Sequence, residues 1–226
     1  MQLPLSIGLR DGASFANYFS GSNREVVQTL HDITDTKQQF VYIWGAPGTG
    51  KTHLLQAACR KVSAAGATSA YLPLGQADQV SPEVLAGLEH LALVCIDDIQ
   101  AIAAHPEWEA ALFHFYNRVR ETATPLIMSG NAAPRVVDLK LADLSSRLSW
   151  GLVLQLHALN EEEKIAALSL RAHGRGIELP DDVARFLLRR CPRDMPGLFE
   201  LLQRLDLASL AAQRRLTIPF VRDLIK

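Results

Sequence analysis

The sequence predicts an α/β fold, a three-layer αβα arrangement around a mostly parallel sheet, followed by a small all-helical unit. Three observations carry this. Short apolar runs recur through the first two thirds of the chain, each separated from the next by a stretch at helical spacing, and strands alternating with helices imply βαβ units. Near residues 157–160 the alternation stops, and three or four helices follow without a strand. The length of 226 residues suits one compact domain with an appendage.

The elements follow in order. Residues 1–22, rich in Gly, Ser and aromatics, read as an irregular lead-in. A helix is expected from about Asn23, with Val26, Val27 and Leu30 on one face. The β-branched and aromatic run 40–44 reads as a buried strand ending at Gly45, and the next helix carries His53, Leu54, Leu55 and Ala58. Runs 70–72, 91–96, 126–128 and 152–154 are the remaining strands. Between them lie a helical segment opened by Ser81 and Pro82, a favourable N-cap and N1 pair, and a helix over 106–121. The helical unit comprises 161–173 behind Asn160 as N-cap, 181–190, 195–212 and 217–225. The expected division is 1–22, 23–157 and 158–226.

Composition removes several classes of function. Hydrophobic residues at 48% and charged residues at 21% exclude a disordered, collagen-like or coiled-coil chain. A net charge of −1 gives no bulk drive toward nucleic acid or anionic membrane. Cys59, Cys95 and Cys191 are scattered and read as buried free thiols of a reducing compartment, and the histidines show no metal-ligand spacing. The run 91–96 is far too short to span a bilayer, and the N-terminus lacks a signal peptide, so a cytoplasmic protein is expected.

Residues 45–52, GAPGTGKT, satisfy G-x-x-x-x-G-K-[ST] at every fixed position, after a buried strand and before a helix. Gly45, Gly48 and Gly50, with Pro47 and Thr49 between them, let backbone N–H groups converge on phosphate oxygens, and the helix N-terminus adds favourable partial charge. Lys51 is expected at the β- and γ-phosphates, the Thr52 hydroxyl on Mg²⁺, and His53 beside them on the first turn. The run Leu93-Val94-Cys95-Ile96 ends in Asp97 and Asp98, the Walker B arrangement. A strand neighbouring the P-loop strand would deliver Asp97 to the Mg²⁺ shell, and Asp98 could orient or deprotonate water.

The strand over 126–128 leads into Ser129, Gly130 and Asn131. Asn131 suits contact with a γ-phosphate or water, and equally a turn former at a strand end. Arg147, in LSSRLSWG, and Arg193, in the helical unit, are open between a phosphate-binding and a surface or ion-paired role.

A P-loop core with a C-terminal helical lid resembles the AAA+ class. Within it, WGAPGTGKTHLLQ at 44–56, IDDIQ at 96–100 and RLSWGL at 147–152 resemble the ATPase domain of the bacterial replication initiator DnaA. Phe15-Ala16-Asn17-Tyr18-Phe19, with Gly21 and Asn23, is similar to that family's entry segment, which packs by the nucleotide base and so implicates Tyr18 and Phe19. The resemblance implies ADP or ATP with Mg²⁺ as ligand, Asn131 as sensor 1, Arg147 as an arginine finger acting in trans, and Arg193 as sensor 2.

Two further features refine the expectation. The sequence ends at Lys226 directly after the lid, so the initiators' helix-turn-helix domain, and with it sequence-specific DNA binding, is not expected. The opening Met1-Gln2-Leu3-Pro4-Leu5-Ser6-Ile7 resembles peptides that dock on the DNA sliding clamp. Gln2 as anchor with Leu3, Leu5 and Ile7 in an extended, Pro-stiffened segment suits a hydrophobic groove. Together these resemble the DnaA-homologous inactivators, which sit on the clamp and drive hydrolysis of DnaA-bound ATP. The alternatives are a helicase-loader or transposition-helper ATPase, and an initiator paralogue that only tethers DnaA. The head-to-tail assembly of AAA+ relatives leaves a homo-oligomer open.

Overall fold

The computed structural model describes residues 12–103, 105–191 and 194–225. In chain order the strands are β1 (Phe40–Trp44), β2 (Ser69–Pro73), β3 (Leu93–Asp97), β4 (Leu126–Gly130) and β5 (Leu152–Gln155). The α-helices are α1 (Arg24–His31), α2 (Lys51–Ala64), α3 (Pro106–Thr122), α4 (Ala142–Leu148), α5 (Glu161–His173), α6 (Asp181–Arg190), α7 (Met195–Ala212) and α8 (Ile218–Leu224). The described residues divide into two compact units, one within 12–15 and 22–157, the other within 16–21 and 158–225. The lead-in therefore does not stand apart: its residues 16–21 group with the helices. Among the described residues no helix is long and apolar enough to cross a membrane.

The first unit is a five-stranded parallel sheet of order β2-β3-β4-β1-β5. The central strands β3 and β4 are buried along their whole length, as expected when helices cover both faces of a parallel sheet. At the β5 edge Leu152 is 37% exposed. This order corrects one expectation: the Walker B strand β3 does not neighbour β1, because β4 lies between them. The segment opened by Ser81 also differs. Ser81 caps as expected, accepting the Glu83 N–H at 3.3 Å, but only a 3₁₀ turn follows, because Ala86 is extended and Gly87 adopts φ +84°.

Two buried polar contacts locate the elements around the sheet. The Glu109 carboxylate, 1% exposed on α3, accepts the N–H groups of Lys140 and Leu141 at 3.1 and 2.6 Å. It thereby supplies the cap that α4 lacks at its own N-terminus. The Tyr42 hydroxyl donates to Ala132 O at 3.0 Å, beneath Gly130 at the end of β4. An alanine Cβ at Gly130 would stand 1.9 Å from that hydroxyl. Gly130→Ala is accordingly expected to cost about 1–3 kcal/mol or more from overpacking. The melting temperature should fall by about 2–4 °C for each kcal/mol lost, and Tyr42→Phe, which removes the hydroxyl, should recover part of the drop. An unchanged melting temperature would show that the strand end is not packed this way.

The second unit is held by two apolar clusters. Ile165, Leu168, Ala172, Leu188, Leu198 and Leu202 form one; Val183, Leu187, Leu205, Leu216, Phe220 and Val221 form the other. Its helices start where the sequence signals: Asn160 and Glu163 close a reciprocal capping box at 2.9 Å in each direction, and Asp194 accepts the Gly197 N–H at 2.8 Å. Cys59 and Cys95 are buried free thiols, whereas Cys191 is only half-buried.

Candidate functional site

The loop after β1 is built to present backbone. Ala46, Pro47 and Gly48 are exposed, and Gly48 and Gly50 hold φ of +81° and +95°, a region costly for any residue with a Cβ. Gly50 is the N-cap of the 14-residue α2, so the first turn directs its unpaired N–H groups into the loop. The Thr49 hydroxyl tightens the turn by donating to Ala46 O at 2.9 Å. The Lys51 ammonium curls back under the loop and donates to Gly45 O at 2.8 Å and Ala46 O at 3.3 Å. Burial, with Lys51 8% exposed, lowers its pKa, and the carboxylates of Asp98 and Asp97 oppose that shift.

Asp97 is the centre of the arrangement. Its carboxylate is 1% exposed and accepts hydroxyls from three elements: Thr52 at 2.6 Å and Tyr71 at 2.8 Å on Oδ2, and Ser129 on Oδ1. Thr52 and Asp97 are thus brought together although a strand separates β1 from β3. Their oxygens, hydroxyl and carboxylate, suit a hard divalent cation. Among the described residues no group of three His, Cys, Asp or Glu could hold a metal alone. Burial, and then the charge of Asp97, push the Tyr71 phenol well above its usual range, so Tyr71 remains a donor.

Asp98 lies at φ +61°, with its N–H on Ser129 Oγ at 3.1 Å and its Oδ1 accepting Gln100 Nε2 at 2.9 Å. Asn131 is exposed at the tip of β4, and its backbone N–H donates to Gln100 Oε1 at 3.0 Å. The His53 ring donates to Ser14 O at 2.9 Å, which ties the lead-in to α2. Ser129, Tyr71 and Gln100 escaped the sequence reading. Gln100 stands inside the IDDIQ string, but nothing local announces which groups it reaches.

Arg147 is half-buried against aromatic rings. Its guanidinium lies 4.6 Å from the Trp150 ring centroid, 5.0 Å from Phe113 and 5.9 Å from Tyr116. Among the described residues it forms no salt bridge, and its Nη1 is buried without a hydrogen-bond partner. Burial raises the Tyr116 phenol to about 12, and the neighbouring Arg147 charge opposes this.

Tyr18 and Phe19 belong to the second unit, where Phe19 packs on the Ile165 and Leu168 cluster. Arg193, Gln2, Leu3, Leu5 and Ile7 lie outside the described residues.

Comparison with known proteins finds two family matches. Residues 77–155 match the bacterial DnaA ATPase domain, and residues 161–225 match the lid domain of Hda. Among solved structures, domain III of the Thermotoga maritima replication initiation protein DnaA superposes with a TM-score of 0.82 at 20% identity, covering 96% of this chain and 98% of that one. AMPPCP-bound DnaA from Aquifex aeolicus gives 0.72 at 20% identity, over 88% and 67%. The Thermotoga maritima RuvB branch migration motor gives 0.65 at 17% identity, over 90% and 67%. At these identities the structural likeness concerns the fold.

Proposed function

We propose, with a DnaA-like AAA+ core and an Hda lid domain as the premise, that this chain is a nucleotide-binding regulator of replication initiation. In this reading it docks on the DNA sliding clamp through Gln2, Leu3, Leu5 and Ile7, and Arg147 stimulates, in trans, the hydrolysis of ATP on DnaA. Re-initiation is thereby prevented. The observation that carries the reading is Arg147 itself, held on ring faces with no carboxylate among the described residues. Ring contacts occupy the face of a guanidinium, so they do not claim its in-plane N–H donors as an acid partner would.

The P-loop fits a nucleoside phosphate: its exposed backbone, the α2 N-terminus and the Lys51 ammonium converge at one place. A bound ADP or ATP supplies negative charge that Lys51 offsets, while Thr52 and Asp97 would hold the accompanying Mg²⁺. Asn131, and Arg193 from the lid, are assigned to the phosphates, and Tyr18 and Phe19 to the base. Asp98 is shorter than the glutamate that many relatives carry, so own-site hydrolysis is weak at most and the main chemistry belongs to DnaA's site. A soluble cytoplasmic location accords with this role.

The test assembles labelled ATP on DnaA, DNA-loaded clamp, and this protein added last. Hydrolysis should accelerate only when all three are present, and unchanged turnover would overturn the proposal. Deleting residues 1–7 should abolish clamp association in a pull-down while leaving melting temperature and nucleotide binding intact, because the segment precedes every core element in the sequence. Clamp binding of similar affinity after the deletion would place the docking site elsewhere.

A further inference from the structure

Gln100 spends both ends of its carboxamide on the tips of two strands. Nε2 donates to Asp98 Oδ1 at 2.9 Å, and Oε1 accepts the Asn131 N–H at 3.0 Å. The carboxamide's orientation is fixed by chemistry, because an ionised carboxylate only accepts and a backbone N–H only donates. The 3₁₀ turn that carries Gln100 is anchored by Ile99 and Ile102, both fully buried. Asp98 is joined to β4 a second time through its own N–H on Ser129 Oγ, and Ser129 donates onward to Asp97. The residues assigned to the cation, the water and the terminal phosphate are therefore one hydrogen-bonded unit. Gln100 is the side chain in it that reaches both the Asp98 carboxylate and the Asn131 loop.

We infer that Gln100 is a positioning residue that couples Asp98 to Asn131, and so sets how differently the site takes a nucleoside triphosphate and a diphosphate. The inference rests on the nucleotide-binding reading above. A γ-phosphate meeting the Asn131 loop displaces the N–H that Gln100 holds, and the carboxamide passes that displacement to Asp98. A diphosphate offers no group at that point, so its binding does not engage the link.

Two variants of the full chain separate the two bonds. Gln100→Glu keeps an acceptor for the Asn131 N–H but sets a second carboxylate against Asp98, and Gln100→Leu removes both contacts. Calorimetry with ADP and with AMPPCP, each with Mg²⁺, is run beside a melting curve. ADP affinity should stay within about twofold of wild type, while the AMPPCP-to-ADP affinity ratio moves by about fivefold or more in both variants. A ratio within about twofold of wild type in both variants, or equal losses for both nucleotides, overturns the inference alone. A wild-type chain that binds neither nucleotide overturns the nucleotide-binding reading and this inference with it.

Discussion

Arg147→Ala is expected to lose a factor of about 10³–10⁵ in the ATP hydrolysis stimulated on DnaA, the range a trans arginine contributes by stabilising charge on a transferring phosphoryl group. That loss corresponds to about 4–7 kcal/mol of transition-state free energy. The structure sets the competing effect. Truncation uncovers Phe113, Tyr116 and Trp150, and cation–π contacts at such sites are worth about 0.5–2 kcal/mol. A modest fall in melting temperature should therefore accompany a far larger loss of stimulation. Arg147→Met, which keeps apolar cover on the rings, should restore the melting temperature but not the stimulation. Arg147→Lys should also fail, because a point charge does not reproduce the planar fork. Clamp association should persist in all three variants. Stimulation falling only in proportion to the folded fraction would show a structural arginine, and full stimulation by a stable Arg147→Ala chain would refute the assignment.

Lys51→Ala should weaken ADP and ATP binding by about 10²-fold or more, since it removes a charge-assisted contact of about 1.5–3 kcal/mol from each phosphate it serves. Its stability should change little. The folded state lowers the Lys51 pKa through burial, so below that folded pKa the charged ammonium costs stability rather than adding to it. Removing the ammonium relieves this cost and forfeits the bonds to Gly45 O and Ala46 O. Isothermal titration beside a melting curve checks both statements, and unchanged affinity would sink the phosphate-loop reading.

Much of this fold was legible because it is written locally. The β1 run, the glycines of the loop, the Asn160 capping box and the helices from 161 onward each depend on residues within a few positions of one another. Strand order is not local: periodicity marks β3 and β4 as strands but cannot say that β4 enters between β3 and β1. The same limit hid the donors on Asp97. Tyr71 lies 26 residues from it and Ser129 lies 32, and neither residue type in a strand signals a carboxylate neighbour. The Ser81 segment failed for a different reason: its start signal is genuine, but Gly87 at φ +84° stops the helix after one turn.

The seat of Arg147 also bears on how ionic strength enters. An arginine paired with a surface carboxylate is released progressively as salt rises, because screening weakens the pair. Arg147 is held instead by the ring quadrupoles of Phe113, Tyr116 and Trp150, with no opposite full charge among the described residues for salt to screen. Its readiness should hold steady from dilute buffer to several hundred millimolar salt. Any decline in stimulated hydrolysis over that range then reports the encounter between the two proteins rather than the arginine, and saturating one partner should remove the decline.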